Sequence, residues 1–115
     1  METTCHLDGE CLAVVDVRGD LDIFAAPAFK EALFQCLDLA PRRLIVDLSG
    51  CGFIDSTGLG VLVAALKRAR GCRLNVVCGD ELGRIFAILG LDKVMELRAT
   101  RADAVRVSAA LPSDV

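Results

Sequence analysis

A single α/β domain with a mostly parallel sheet of four to five strands and about four helices is the fold this sequence predicts. Two observations carry that reading. Short apolar, β-branched runs bounded by charge or glycine alternate with longer stretches whose apolar residues recur at helical spacing. Their order is strand, strand, helix, then strand and helix repeated, which calls for parallel pairing with right-handed crossovers and helices covering the sheet. At 115 residues the chain suits one domain, residues 1–115. A domain of this size buries roughly two-thirds of the surface its unfolded chain exposes. No internal repeat, linker or low-complexity segment divides it, and residues 111–115 are expected to fray.

The stretch "CLAVVDVRGDLD" opens with a β-branched run at residues 12–17 and stops at Gly19, so it reads as a strand followed by a turn. The period then changes. From Pro27, "PAFKEALFQCLDLA" sets Phe29, Ala32, Leu33 and Cys36 at helical spacing, with Leu37 and Leu39 near its end. Pro27 fits a first helical turn, and Pro41 stops the helix. "RRLIVDLSG" is a short apolar run bounded by charge and glycine, the pattern of a strand buried on both faces. A helix from Ser56 repeats Leu59, Leu62, Val63 and Leu66 as its core stripe, with Gly71 as its stop. "CRLNVVCG" reads as another buried strand and "DELGRIFAILG" as a short helix ending at Gly90. "KVMELRA" alternates Val94, Glu96 and Arg98 against Met95 and Leu97 as a last strand. "TRADAVRVSAAL" closes the domain as a helix capped by Thr100.

Composition excludes several classes. Hydrophobic residues make up 54% of the chain and mean hydropathy is +0.52, so a membrane span has to be considered. Every apolar segment is interrupted by Asp, Arg, Lys or Gly before the roughly eighteen residues a span requires. The N-terminal "METTCHLDGE" has no basic region ahead of an apolar one. The expectation is a cytoplasmic protein with an unusually apolar surface and no membrane insertion. A net charge of −3 and a pI near 5.0 argue against nucleic acid, whose phosphates need clustered cations. Trp and Tyr are absent, and the five Phe fall where a core would want them. The cluster "KRAR", residues 67–70, ends a helix, where cations meet the C-terminal dipole. The six cysteines form no C-x-x-C pair and the one histidine is His6. They read as small buried hydrophobes in a reducing compartment, with no metal and no cofactor.

The chemistry concentrates in "GFIDSTGLG", residues 52–60. Ser56 stands just before the most regular helix, where its hydroxyl can cap the exposed first-turn amides. With Asp55 and Thr57 beside it, the site holds more acceptors than a cap needs. Gly58 and Gly60 sit inside the first turns, where each costs about 0.5–1 kcal/mol relative to Ala. Glycines there let another backbone or a phosphate approach, and a helix start favours an anion. Opposite the expected core stripe the helix carries Val61, Ala64, Ala65 and Arg68, a small apolar face that reads as a docking surface. A hydrolase is excluded: there is no G-x-S-x-G, and His6 is the sole candidate base. A phosphate-binding G-x-x-x-x-G-K-[ST] loop is also missing, so no enzyme activity is expected.

The segments "VRGDLDIFAAPAFKEAL", "RRLIVDLSGCGFIDSTGLGVLVAALKRAR" and "LNVVCGDELGRIFAILGLDKVMEL" resemble the STAS-domain anti-sigma factor antagonists, also called anti-anti-sigma factors. The most specific element is the D-S-T/S-G-L-G box, residues 55–60, backed by the G-x-L-D turn, residues 19–22. The resemblance implies a STAS fold and a bacterial regulator of transcription. Such a protein binds an anti-sigma factor with a histidine-kinase-like ATPase fold and frees the sigma factor. It implies further that this partner is a serine kinase that phosphorylates Ser56, with Thr57 the alternative acceptor, and that a PP2C-type phosphatase reverses the step. By the same resemblance Asp22 lies near the phosphoacceptor and contributes to partner or nucleotide contacts, and Asp20 stands where relatives often have Glu. Partner binding is thus expected at Asp22, Asp55, Thr57, Gly58, Gly60, Val61, Ala64, Ala65 and Arg68, in a monomer or weak dimer. The rival reading is a STAS subunit of a stress-signalling assembly or of a lipid or anion transporter. It expects an additional N-terminal domain or membrane segment.

Overall fold

The computed structural model describes residues 2–8, 12–69, 72–100, 102 and 104. Five strands, β1 (Glu2–Asp8), β2 (Leu12–Arg18), β3 (Arg43–Gly50), β4 (Arg73–Val77) and β5 (Glu96–Arg98), form one sheet in sequential order. β1 is antiparallel to β2, and every later neighbour is parallel. Between the parallel strands run α1 (Ala26–Asp38), α2 (Ser56–Arg68) and α3 (Asp80–Ile88). Each helix is therefore a crossover between adjacent strands. Crossovers of one hand between strands laid down in order fall on one face of the sheet.

The packing agrees. Phe29 and Leu33 of α1, Leu62 and Ala65 of α2, and Leu82 and Phe86 of α3 share one core with Val15, Val46 and Val76 of the sheet. On the opposite face Val14, Ile45 and Val77 pack with Ala104. Residues 44–48 of β3 are buried without a break because both faces are covered. Ala102 and Ala104 are helical, and the Ala104 amide donates to the Thr100 carbonyl at 3.2 Å. Most of the helix expected over residues 100–111, the tail at 111–115 and the stop at Gly71 lie outside the described residues. Among those described, no helix is long and apolar enough to cross a membrane.

Several boundaries and assignments differ from the sequence reading. The first strand of the predicted order, which that reading had not placed on residues, is β1. α1 ends at Asp38 and leaves through Ala40, whose φ of 54° is left-handed, directly before Pro41. The last strand is three residues long because a 3₁₀ turn, Leu91–Lys93, follows the left-handed Gly90. Along α2 the buried stripe is Gly58, Val61, Leu62 and Ala65, rotated by about one residue from the expected one. Leu59 and Leu66 pack only partly against the same core. The reading of all six cysteines as free thiols is corrected at Cys36, which is buried and disulfide-bonded. Cys51, Cys72 and Cys78 are free. Burial holds all three thiols above their ordinary pKa, Cys72 at about 11, so they are neutral at physiological pH.

Candidate functional site

The site forms where the loop after β2 is stitched to the loop after β3. The Gly19 amide donates to the Gly50 carbonyl at 3.0 Å, the Leu21 amide to Phe53 at 2.8 Å, and the Asp55 amide back to Leu21 at 3.1 Å. Leu21 and Ile54 form an isolated parallel bridge beyond the ends of their strands. Gly19 allows the turn that starts this stitching, with φ of 108°. The two motifs, separated by more than thirty positions in the chain, are thereby fixed side by side.

Each loop then turns its chain into a helix by the same device. Asp22 Oδ1 accepts from the Phe24 and Ala25 amides at 3.1 and 3.0 Å, holding the approach to α1. Asp55, extended at φ −101° and ψ −175°, accepts through Oδ1 from the Thr57 and Gly58 amides at 2.9 and 3.1 Å. Asp55 is therefore the N-cap of α2 and Ser56 its first helical residue. The expectation that Ser56 itself caps the helix is corrected. Of three consecutive acceptors, the one whose backbone is still extended takes the capping role. Ser56 and Thr57 are exposed, and neither side chain has a hydrogen-bond partner among the described residues.

The two glycines of the box have opposite environments. A Cβ on Gly58 would lie 2.9 Å from both Ile54 Cγ1 and the Leu21 carbonyl oxygen, so only glycine lets α2 start against the stitched loops. A Cβ on Gly60 would meet nothing within 4 Å. Gly60 lines a groove of about 460 Å³ between the N-terminal halves of α1 and α2. Ile23, Pro27 and Lys30 wall one side, and Thr57, Gly60 and Ala64 the other.

That groove explains what becomes of the expected docking face. Val61 and Ala64 line the groove on the flank of α2 that faces α1, and Arg68 lies further along that flank, still exposed. Val61 and Ala65 are buried, and Ala64 is half-buried. At the far end of the seam Arg68 pairs with Asp38 of α1 and lies 4.9 Å over the Phe34 ring. At the near end only small side chains oppose one another. The seam is closed below by Phe34 and Arg68 and open above, next to Ser56. Arg68 is thus not brought to the Ser56 end.

Three apolar residues complete this end of the molecule and contradict the expectation that every Phe belongs to the core. Phe24 is 88% exposed, Ile23 62% and Phe53 51%, all on the two stitched loops. Their signal in the sequence is that each falls in a turn, outside any strand or helix periodicity. Asp20, also exposed, lines a shallow acidic hollow with Asp22 and Phe24 on the other side of the first loop.

A sequential sheet with one antiparallel edge, three helices on one face and a capped serine-bearing helix start define a small regulatory-domain class, and comparison places the chain in it. The STAS domain model matches residues 6–104. The anti-sigma-F factor antagonist RsfB of Mycobacterium tuberculosis is 32% identical over 105 residues, covering 90% of this chain and 86% of that protein. The anti-sigma-B factor antagonist of Listeria monocytogenes is 36% identical over 98 residues, covering 83% and 81%. The crystal structure of an anti-sigma factor antagonist from Mycobacterium paratuberculosis superposes with a TM-score of 0.84 at 31% identity, over 92% of each chain. The chain belongs to the STAS domain family, among its anti-sigma factor antagonists.

Proposed function

We propose that the unphosphorylated protein binds an anti-sigma factor that is also a serine kinase, so releasing a sigma factor in the cytoplasm, and that phosphorylation of Ser56 ends the binding. A PP2C-type phosphatase restores the active form. The protein is then a kinase substrate and a binding partner rather than an enzyme, working as a monomer or weak dimer. The observation that carries this reading is the division of labour at the start of α2. Asp55 supplies the cap, which leaves the Ser56 hydroxyl exposed and unbonded. Ser56 Oγ can attack the γ-phosphorus of ATP, with ADP leaving and the hydroxyl proton passing to a base on the kinase, and no structural hydrogen bond is lost.

The physical consequence has a definite sign. A phosphate on Ser56 brings about −1.5 to −2 charge to a helix N-terminus, where the dipole favours an anion by up to about 2 kcal/mol, so the fold tolerates it. The surroundings offer a docked partner no such tolerance. Asp55 adjoins the phosphate, and the exposed ring of Ile23, Phe24 and Phe53 invites contact that expels water. Burying an uncompensated charge there costs several kcal/mol, and each 1.4 kcal/mol is tenfold in affinity.

The test incubates the purified protein and ATP with the candidate anti-sigma kinases of the same genome and locates phosphate by mass spectrometry. Phosphate is expected on Ser56. Ser56→Ala should fold and bind while escaping modification, and Ser56→Asp should bind at least tenfold more weakly. Absence of phosphate on Ser56 with every kinase, together with equal binding by wild type and Ser56→Asp, would refute the proposal.

A further inference from the structure

Gly60 is the residue of the box that the fold does not account for. It lies in the second turn of α2, where glycine is a poor helix former, yet a β-carbon there would meet nothing within 4 Å. Gly58 shows what a glycine demanded by internal packing looks like, with two atoms at 2.9 Å from its built Cβ. Gly60 therefore keeps open space beside its Cα, in the lining of the groove between α1 and α2.

The lining of that groove indicates what enters it. It is apolar but for the Thr57 hydroxyl and one charged group, Lys30, whose ammonium stands 5.4 Å over the Phe34 ring at the closed end of the seam. The opposite, open end lies beside Asp55, the cap of α2. An occupant complementary to this arrangement is an apolar segment with its carboxylate toward Lys30 and away from Asp55. We infer that the groove receives such a segment of the anti-sigma kinase, packed against the Gly60 Cα with a carboxylate paired to Lys30. This rests on the function proposed above and adds to it the part of the partner that is read. A methyl group at position 60 would narrow the groove in which the segment lies, so the same substitution strengthens the helix and weakens the complex.

The experiment measures thermal stability and the affinity for the kinase that phosphorylates Ser56, in wild type, Gly60→Ala and Lys30→Glu. Gly60→Ala is expected to raise the unfolding midpoint by roughly 2–5 °C and to weaken binding about tenfold or more. Lys30→Glu should weaken binding and flatten its salt dependence without lowering the midpoint. Undiminished binding by Gly60→Ala would overturn the inference while leaving the Ser56 switch intact. So would sedimentation showing that wild type forms a dimer which Gly60→Ala dissociates, since a second copy would then be the occupant. Wild type that neither binds a kinase nor is phosphorylated by one would overturn both readings.

Discussion

Asp55 holds the start of α2 with one carboxylate oxygen shared between two amides, and its neighbour is left free because of it. Replacing Asp55 with Ala should cost about 1 kcal/mol, within a range of about 0.5–2, and Asp55→Asn should recover most of it, as urea unfolding of the two variants would show. The amide oxygen of Asn caps as well as a carboxylate, so equal losses in both variants would mean that charge, and not the cap, is what Asp55 contributes. Which of Asp55, Ser56 and Thr57 caps the helix was not legible from the sequence. All three are good acceptors in a row, and only backbone conformation separates them. Phe24 and Phe53 were misread for a related reason. Aromatic residues are assigned to a core by default, whereas these two lie in turns pinned by Asp22 and by the bridge between Leu21 and Ile54.

Among the elements, α2 shows where periodicity loses its power. From Leu59 to Leu66 it is apolar at every position except Gly60, so several stripes satisfy the helical spacing and the sequence cannot choose among them. Packing decides the rotation: Gly58 must face the Leu21 carbonyl, and Val61, Leu62 and Ala65 follow it into the core. Gly58→Ala should consequently destabilise the protein. Helix propensity favours Ala by about 1 kcal/mol at most, while intrusion on a backbone oxygen already committed to the Asp55 amide costs about 1–3 kcal/mol. A net loss in the denaturation midpoint is expected. A gain would show that α2 can move off the loops at no cost. The strands and the other helices were legible because their contrasts are sharper. β3 carries the apolar run Leu44, Ile45 and Val46 between its charged start and glycine end, and α3 separates Leu82 and Phe86 from its charged residues at the expected spacing.

At the scale of the whole molecule, the sequential sheet assigns separate tasks to its two faces and two ends. Three crossovers crowd one face, and the loops at the ends of β2 and β3 bring residues 19–25 and 51–60 together. The strand-and-helix order made that architecture legible, and the D-S-T-G-L-G box lies at the end where those two loops meet. The open half of the α1–α2 seam was not legible, because it depends on which side chains two separate helices oppose to each other. In the function proposed here, a fold-neutral charge at Ser56 controls docking. The most direct measurement is calorimetric titration of the anti-sigma kinase with the protein before and after stoichiometric phosphorylation of Ser56, alongside the thermal midpoint of each form. A loss of affinity of about a hundredfold or more at a nearly unchanged midpoint is expected. Equal affinities of the two forms, or a loss of affinity that merely follows unfolding, would contradict it.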